Sequence, residues 1–443
     1  MSSRTAFLFP GQGSYIPGLF ADLIDDFPSA ARTLESIDSA CVEAGAGTVS
    51  HLLTSKNSPS LEELIARSPE LVDTVIFASN MAANAVLREA GYSADVLVGH
   101  SFGELSALTA AGSLSLRDAT HFLLQRLSLL SSTPLPESGM LALELDARRT
   151  AHLVGLIDDR FLTLALDNAP ERCVVSGTKE GLEGVVSVAQ SVGVTTHPVP
   201  AARAFHNPML KTVEDLVSDA FNRFELRAPK TPVYSSMLRR HIESVADIQA
   251  VAAVQLTAPV YFREGFQRLH ADGVRRFIEA GAKAVLSSFA TETLPIGSSV
   301  VAPFRRRSTP SDLRALFAEP GQPTGVAQAG AFTQEPVTAT ASPEVTAAPI
   351  AQQPEIELPQ LDELFEELRV LYAEKLELPE ELLDDEADLE ADFGVDSLQQ
   401  VALFNQARTK YGLPEPGEGM RVTSFTRLRD VAGLLHTLAG EPR

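Results

Sequence analysis

The chain has 443 residues and a mass of 47.5 kDa, with 44% hydrophobic and 21% charged side chains, the balance of a globular protein. Its 36 Lys and Arg stand against 58 Asp and Glu, a net charge of −22. A surface that acidic repels phosphate backbones and anionic lipid, which argues against nucleic-acid binding and membrane-surface attachment. The two cysteines, Cys41 and Cys173, are too few for a disulfide framework and lack histidines at zinc-ligand spacing.

The N-terminus runs from Met1-Ser2-Ser3-Arg4 straight into Thr5-Ala6-Phe7-Leu8-Phe9, which reads as a buried strand without signal-peptide architecture. No apolar run approaches the roughly 18 residues a bilayer span needs, so a cytoplasmic location is expected. Apolar residues at helical spacing predict a helix over Leu71–Ala90, ending at Gly91, and Asp95–Val98 reads as a second buried strand. Strand and helix in alternation predict an α/β core with a mainly parallel sheet.

The second strand runs into Gly99-His100-Ser101-Phe102-Gly103-Glu104 and then an Ala/Leu-rich helical segment. A G-x-S-x-G turn between strand and helix has the form of a nucleophile elbow. Its glycines let the backbone take a strained bend that presents the serine hydroxyl, and the following helix offers free N–H groups and a positive end. A serine nucleophile needs a base, and there are nine histidines. His100 lies inside the elbow, with a structural role expected. His51, His121, His152 and His270 sit in ordinary helical or loop contexts. His206 differs because Arg203-Ala204-Phe205-His206-Asn207-Pro208 is a loop closed by a proline turn, the kind of setting that often carries catalytic side chains. On spacing alone it is one candidate among several.

Arg126 interrupts the largely apolar stretch His121–Leu127. Burying an unpaired guanidinium costs several kcal/mol, so a charge there makes sense if a ligand carboxylate completes it through a two-pronged contact.

From Met140 to His197 the pattern changes to strand, helix, strand, strand, helix, strand, predicting a compact ferredoxin-like α+β insertion over about 136–200. Composition then breaks at Glu319–Pro354, where Pro, Ala, Thr and Gln make up 24 of 36 residues and neither Lys nor Arg occurs. Such a segment cannot bury enough apolar surface to offset its ordering entropy, and it reads as a linker over 319–360 between domains 1–318 and 361–443. Amphipathic positions such as Leu364, Leu368, Leu371, Leu398 and Phe404 predict a small all-α bundle after it. Residues 361–443 hold 8 basic and 19 acidic side chains, half of the net charge in the last fifth of the chain, which suggests a partner with a basic face.

Residues from about 4 to 310 resemble the malonyl-CoA:carrier-protein transacylases and the acyltransferase domains of polyketide and fatty-acid synthases. The resemblance rests on Phe9-Pro10-Gly11-Gln12-Gly13-Ser14, on the Gly99–Glu104 elbow, and on Arg126, 25 positions after the serine. It rests also on Asn168 with Val174-Val175-Ser176-Gly177, on Ala204-Phe205-His206, and on Gln255-Leu256-Thr257-Ala258-Pro259-Val260. It implies an α/β hydrolase-like fold and a Ser101–His206 dyad, with the N–H groups of Gln12 and Phe102 as oxyanion hole. It also implies that His206 is oriented through a main-chain carbonyl near Gln255. Arg126 would hold the free carboxylate of a malonyl-type group delivered as a CoA thioester, with Phe205, Gln255 and His100 lining the pocket. Phe205 matches malonyl-selective domains, whereas Arg203, Phe102 and Ser128 depart from the family's usual residues. No metal is implied.

Phe393-Gly394-Val395-Asp396-Ser397-Leu398, behind the acidic loop Asp384–Asp392, can be read as ordinary helix capping. In this context residues from about 361 to 440 resemble acyl and peptidyl carrier proteins. That resemblance implies 4′-phosphopantetheine on Ser397, attached by a phosphopantetheinyl transferase, and a separate ketosynthase to use the loaded unit. Two other readings remain at this level: an editing hydrolase that passes the acyl group to water, and an inactive docking scaffold beside an active carrier.

Overall fold

The computed structural model describes residues 4–318 apart from 202, and 358–440 apart from 377, 386, 391, 394, 396 and 415–424. Of the predicted linker 319–360, residues 319–357 lie outside the described residues. The chain divides into two compact units, Met1–Thr324 and Gly325–Arg443.

The first unit contains eleven strands among the described residues. They are β1 (Arg4–Phe9), β2 (Val96–Gly99), β3 (Ser138–Leu143), β4 (Thr163–Ala169), β5 (Arg172–Thr178), β6 (Thr196–Val199), β7 (Val233–Ser235), β8 (Arg240–Ile242), β9 (Val260–Tyr261), β10 (Val274–Glu279) and β11 (Ser299–Val301). Six of them form the main sheet in the order β11-β10-β1-β2-β7-β8, parallel except for the β7–β8 hairpin. The run Ala6–Phe9 and the run Val96–Val98 are buried on both faces, which is why they read as continuous apolar stretches.

Helices pack against the strands of the sheet. Pro69–Glu89 buries most of its length from Asp73 to Leu87, a degree of burial that matches its continuous Val75-Ile76-Phe77-Ala78 run. Gly103–Ala110 follows β2 directly, and Leu116–Ser132 is started by Ser115, whose side chain accepts from the Asp118 N–H. The sheet register decides where a site can form. Phe9 pairs with Gly99, so β1 and β2 end level and release the Pro10–Gly13 loop beside His100 and Ser101. Loops at the carboxyl ends of parallel strands are where open α/β sheets hold their ligands.

The insertion is a second, five-stranded sheet in the order β6-β3-β5-β4-β9. Its first four strands pair antiparallel, with helices Ala147–Ile157 and Lys179–Ser191 between them, the ferredoxin-like arrangement. The fifth strand was not foreseen. Val260 and Tyr261, from the segment just after Gln255–Pro259, pair parallel with Leu166 and Asp167. Only two residues long, β9 carries too little pattern to be seen in sequence.

The second unit has three helices of substance among its described residues, Leu361–Leu376, Ser397–Lys410 and Leu428–Gly440. They close on Leu364, Leu368, Tyr372, Leu383, Phe404 and Leu435. The segment before the middle helix is pinned by Leu389 N–H to Thr426 O at 2.8 Å, Thr426 Oγ1 to Asp388 at 2.8 Å, and Gln400 Nε2 to Val395 O at 3.3 Å. No helix among the described residues is long and apolar enough to cross a membrane. Cys41 and Cys173 are both buried and unpaired.

Candidate active site

Ser101 occupies the bend between β2 and the helix Gly103–Ala110 with φ +52°, a left-handed conformation that costs a non-glycine residue about 1–3 kcal/mol. The two flanking glycines are required by close approach. A Cβ on Gly99 would stand 2.2 Å from the Glu104 nitrogen, and one on Gly103 would stand 2.1 Å from the Phe9 carbonyl oxygen. The loop before the bend is equally tight, since a Cβ on Gly11 would approach the His100 carbonyl to 2.9 Å. This contact keeps Gln12 beside the bend. Among the described residues, neither the Gln12 nor the Phe102 N–H has an acceptor in the protein. Unpaired N–H groups at a helix start can receive an oxyanion.

The Ser101 hydroxyl lies 2.6 Å from His206 Nε2, and His206 Nδ1 donates to the Ala258 carbonyl at 2.8 Å. The second bond fixes the tautomer: with Nδ1 protonated, Nε2 is the free base that accepts from the hydroxyl. His206 is buried and also has positive φ, +58°. Burial pushes its imidazole down to about 4, with the neighbouring His100 and Arg126 adding to the effect and the Ala258 carbonyl opposing it. At neutral pH it is therefore uncharged, as a general base must be.

His100 points elsewhere. Its Nε2 lies 2.7 Å from Asn168 Oδ1, and its ring packs edge-on against Phe262, tying the elbow to the insertion. Burial lowers its pKa as well.

Arg126 is buried, 3% exposed, but it is paired. Nη1 donates to Asp73 Oδ2 at 3.1 Å and Nε to Gln255 Oε1 at 3.2 Å. The guanidinium carbon also lies 5.6 Å from the Phe102 ring centre and 5.9 Å from that of Phe205. The other oxygen of Asp73 accepts from the Gln12 side chain at 3.0 Å. A protein carboxylate thus meets the charge that the sequence had left for a ligand. A cavity of about 30 Å³ is lined by Arg126, Gln255, Phe122 and Phe221, room for one or two waters.

Three buried carboxylates that sequence reasoning missed support these groups. Glu214 accepts from the N–H groups of Leu256 and Thr257 at 3.0 and 3.1 Å and from the Thr257 hydroxyl at 2.8 Å, holding the loop that supplies Gln255 and the Ala258 carbonyl. Glu104 takes the Ser235 hydroxyl at 2.8 Å, and burial pushes its carboxyl up to about 8. Asp73 is the third. Their sequence signal was a lone acid in an otherwise apolar segment, visible for Asp73 in Val72–Phe77 and for Glu104 in Ser101–Leu114, but nothing in it names a partner.

Ser397 lies in the second unit as the first residue of the helix Ser397–Lys410. A helix start suits a phosphodiester, because its N–H groups and dipole favour an anion, so the position fits a phosphopantetheine arm.

Comparison with known proteins agrees with this geometry. The family model described as "Acyl transferase domain" matches residues 6–320, and "Phosphopantetheine attachment site" matches 366–435. The malonyl CoA-acyl carrier protein transacylase of Bacillus subtilis is 31% identical over 290 residues, covering 64% of this chain and 89% of that protein. A component of the pikromycin polyketide synthase of Streptomyces venezuelae is 27% identical over 292 residues, 66% of this chain but 18% of its own length. The crystal structure of an acyl-carrier-protein S-malonyltransferase from Burkholderia pseudomallei superposes with a TM-score of 0.63 at 26% identity, covering 71% of this chain and 99% of that one.

Proposed function

The chain belongs to the acyl transferase family and carries a phosphopantetheine attachment domain behind it, and from that premise we propose how its residues divide the work. Ser101 attacks the thioester carbonyl of malonyl-CoA or a close analogue while His206 Nε2 takes its proton. The N–H groups of Gln12 and Phe102 receive the oxyanion. As the tetrahedral adduct collapses, His206 returns the proton to the departing CoA thiolate, leaving a Ser101 ester. In the second half the same steps run in reverse toward a carrier thiol. His206 takes the thiol proton, the oxyanion pair stabilises a second adduct, and Ser101 leaves with its proton restored.

What the phosphopantetheine group supplies, once bound, is a long arm ending in that thiol. Ser397 is its attachment site, which makes a phosphopantetheinyl transferase a necessary partner. A separate ketosynthase is the consumer we propose for the loaded unit, in the cytoplasm. Arg126 supports a short dicarboxylic acyl group, since two guanidinium N–H groups on Nη2 are left over by Asp73 and Gln255. Phe205 and Phe102 crowd the same space. We propose 319–360 as the tether between the two halves.

The observation that carries this reading is the 2.6 Å contact between Ser101 and His206, with His206 Nδ1 committed to Ala258. An editing hydrolase would use the same pair but has no need of a buried arginine whose Nη2 N–H groups are left over for a substrate carboxylate. Measuring malonate release against carrier loading separates the two. Transfer is supported if loading exceeds release, and hydrolysis if release dominates.

A further inference from the structure

The Asp73–Arg126 pair changes what the arginine can select. A clamp arginine that stands alone discriminates in two ways: it attracts a malonyl carboxylate, and it is left as an unpaired buried charge when an uncharged acyl group occupies the site. The second effect is the stronger rejection, because a stranded charge bears its full desolvation cost. Here Asp73, itself 5% exposed, is 3.1 Å from Nη1 before any substrate arrives. Arg126 therefore keeps its charge partner Asp73, its hydrogen bond to Gln255 and the Phe102 and Phe205 rings whatever the acyl group carries, although its Nη2 N–H groups stay free for a malonyl carboxylate. A malonyl carboxylate would also add a second negative charge next to Asp73 in a buried setting. Both effects work against malonyl selectivity.

We infer that Asp73 is a specificity-determining residue that lowers the preference for dicarboxylic over uncharged short acyl groups, so that the site accepts acetyl-type thioesters alongside malonyl. The inference rests on the acyltransferase reading above. Asp73 also ties Arg126 to Gln12, whose main chain is the oxyanion donor on that reading. Asp73→Asn is the informative change, because it removes the negative charge while its one amide oxygen still accepts from Arg126 or Gln12.

The test is competition between equimolar malonyl-CoA and acetyl-CoA, read by intact mass as the two esters on Ser101 in the full-length protein. For the wild type the expected malonyl preference is less than about a hundredfold, and Asp73→Asn should raise it at least tenfold. A wild-type preference above a thousandfold overturns the inference without any variant being needed, and so does an unchanged or smaller ratio in Asp73→Asn. Those failures leave the transferase reading intact. Only the absence of any ester on wild-type Ser101 removes both.

Discussion

His206 is set up as a base by its burial, and that makes its titration visible. With its pKa near 4, the imidazole stays neutral well below the usual histidine range. The rate of Ser101 acylation should therefore hold level from pH 7 to about 5 and fall to half near pH 4. A half-point at about 6.5 would mean that His206 is solvated in solution. His206→Ala should cost about 10²–10⁴ in that rate, the usual contribution of a positioned base. The same depression affects stability. The unfolded chain binds the histidine proton at a higher pH than the folded one does, so acidification from about 6.5 to 4 destabilises the protein through this group. Glu104 works with the opposite sign. Its folded carboxyl titrates near 8, so its contribution is fully present below the unfolded value of about 4.5 and is lost as the pH rises through 8. Glu104→Gln should flatten the decline of Tm between pH 6 and 8.5, as followed by thermal melts, and an unaltered slope would remove Glu104 as the cause.

At the scale of elements, the elbow and the loop after it do different jobs. The elbow is held by backbone proximity, so Gly103→Ala should destabilise the protein by several kcal/mol or prevent its folding, since 2.1 Å to the Phe9 carbonyl leaves no room for a methyl group. The loop Gln255–Ala258 is held instead by one side chain, Glu214. Glu214→Ala leaves two amides and a hydroxyl without their acceptor, at about 1–3 kcal/mol for each buried group, and should lower kcat by releasing the Ala258 carbonyl from His206. Glu214→Gln retains one acceptor oxygen and should recover much of the rate.

These two elements also mark how far sequence carries. The elbow is contiguous, six residues with a required order, and its strand and helix announce themselves by periodicity. His206 becomes convincing once its neighbours resemble a family segment. Asp73, Glu214 and Glu104 act on groups 53, 42 and 131 positions away, and no local pattern encodes such a pairing. The pairing of Arg126 was missed for the same reason: its apolar neighbours along its own helix gave no sign of a carboxylate that comes from Pro69–Glu89. The α/β core and the ferredoxin-like insertion were legible because each rests on long periodic runs. β9 was not, since its two residues owe their pairing to β4 and not to any pattern of their own.

For the whole molecule, the consequence of carrying enzyme and acceptor on one chain is kinetic. If 319–360 is the tether, as proposed, a random coil of its 42 residues would span about 32–39 Å, which would give the acceptor a roughly millimolar effective concentration. Loading of Ser397 should then proceed at a rate independent of protein concentration in the low micromolar range, and a rate proportional to concentration would show transfer between chains instead. Ser397→Ala should abolish loading while leaving the Ser101 ester unaffected. The most direct test of the account is to incubate the phosphopantetheinylated protein with malonyl-CoA and weigh the Ser397 arm in the wild type and in Ser101→Ala. The account predicts a malonyl adduct in the wild type and none in Ser101→Ala on the same timescale, whereas equal loading in the two would contradict it.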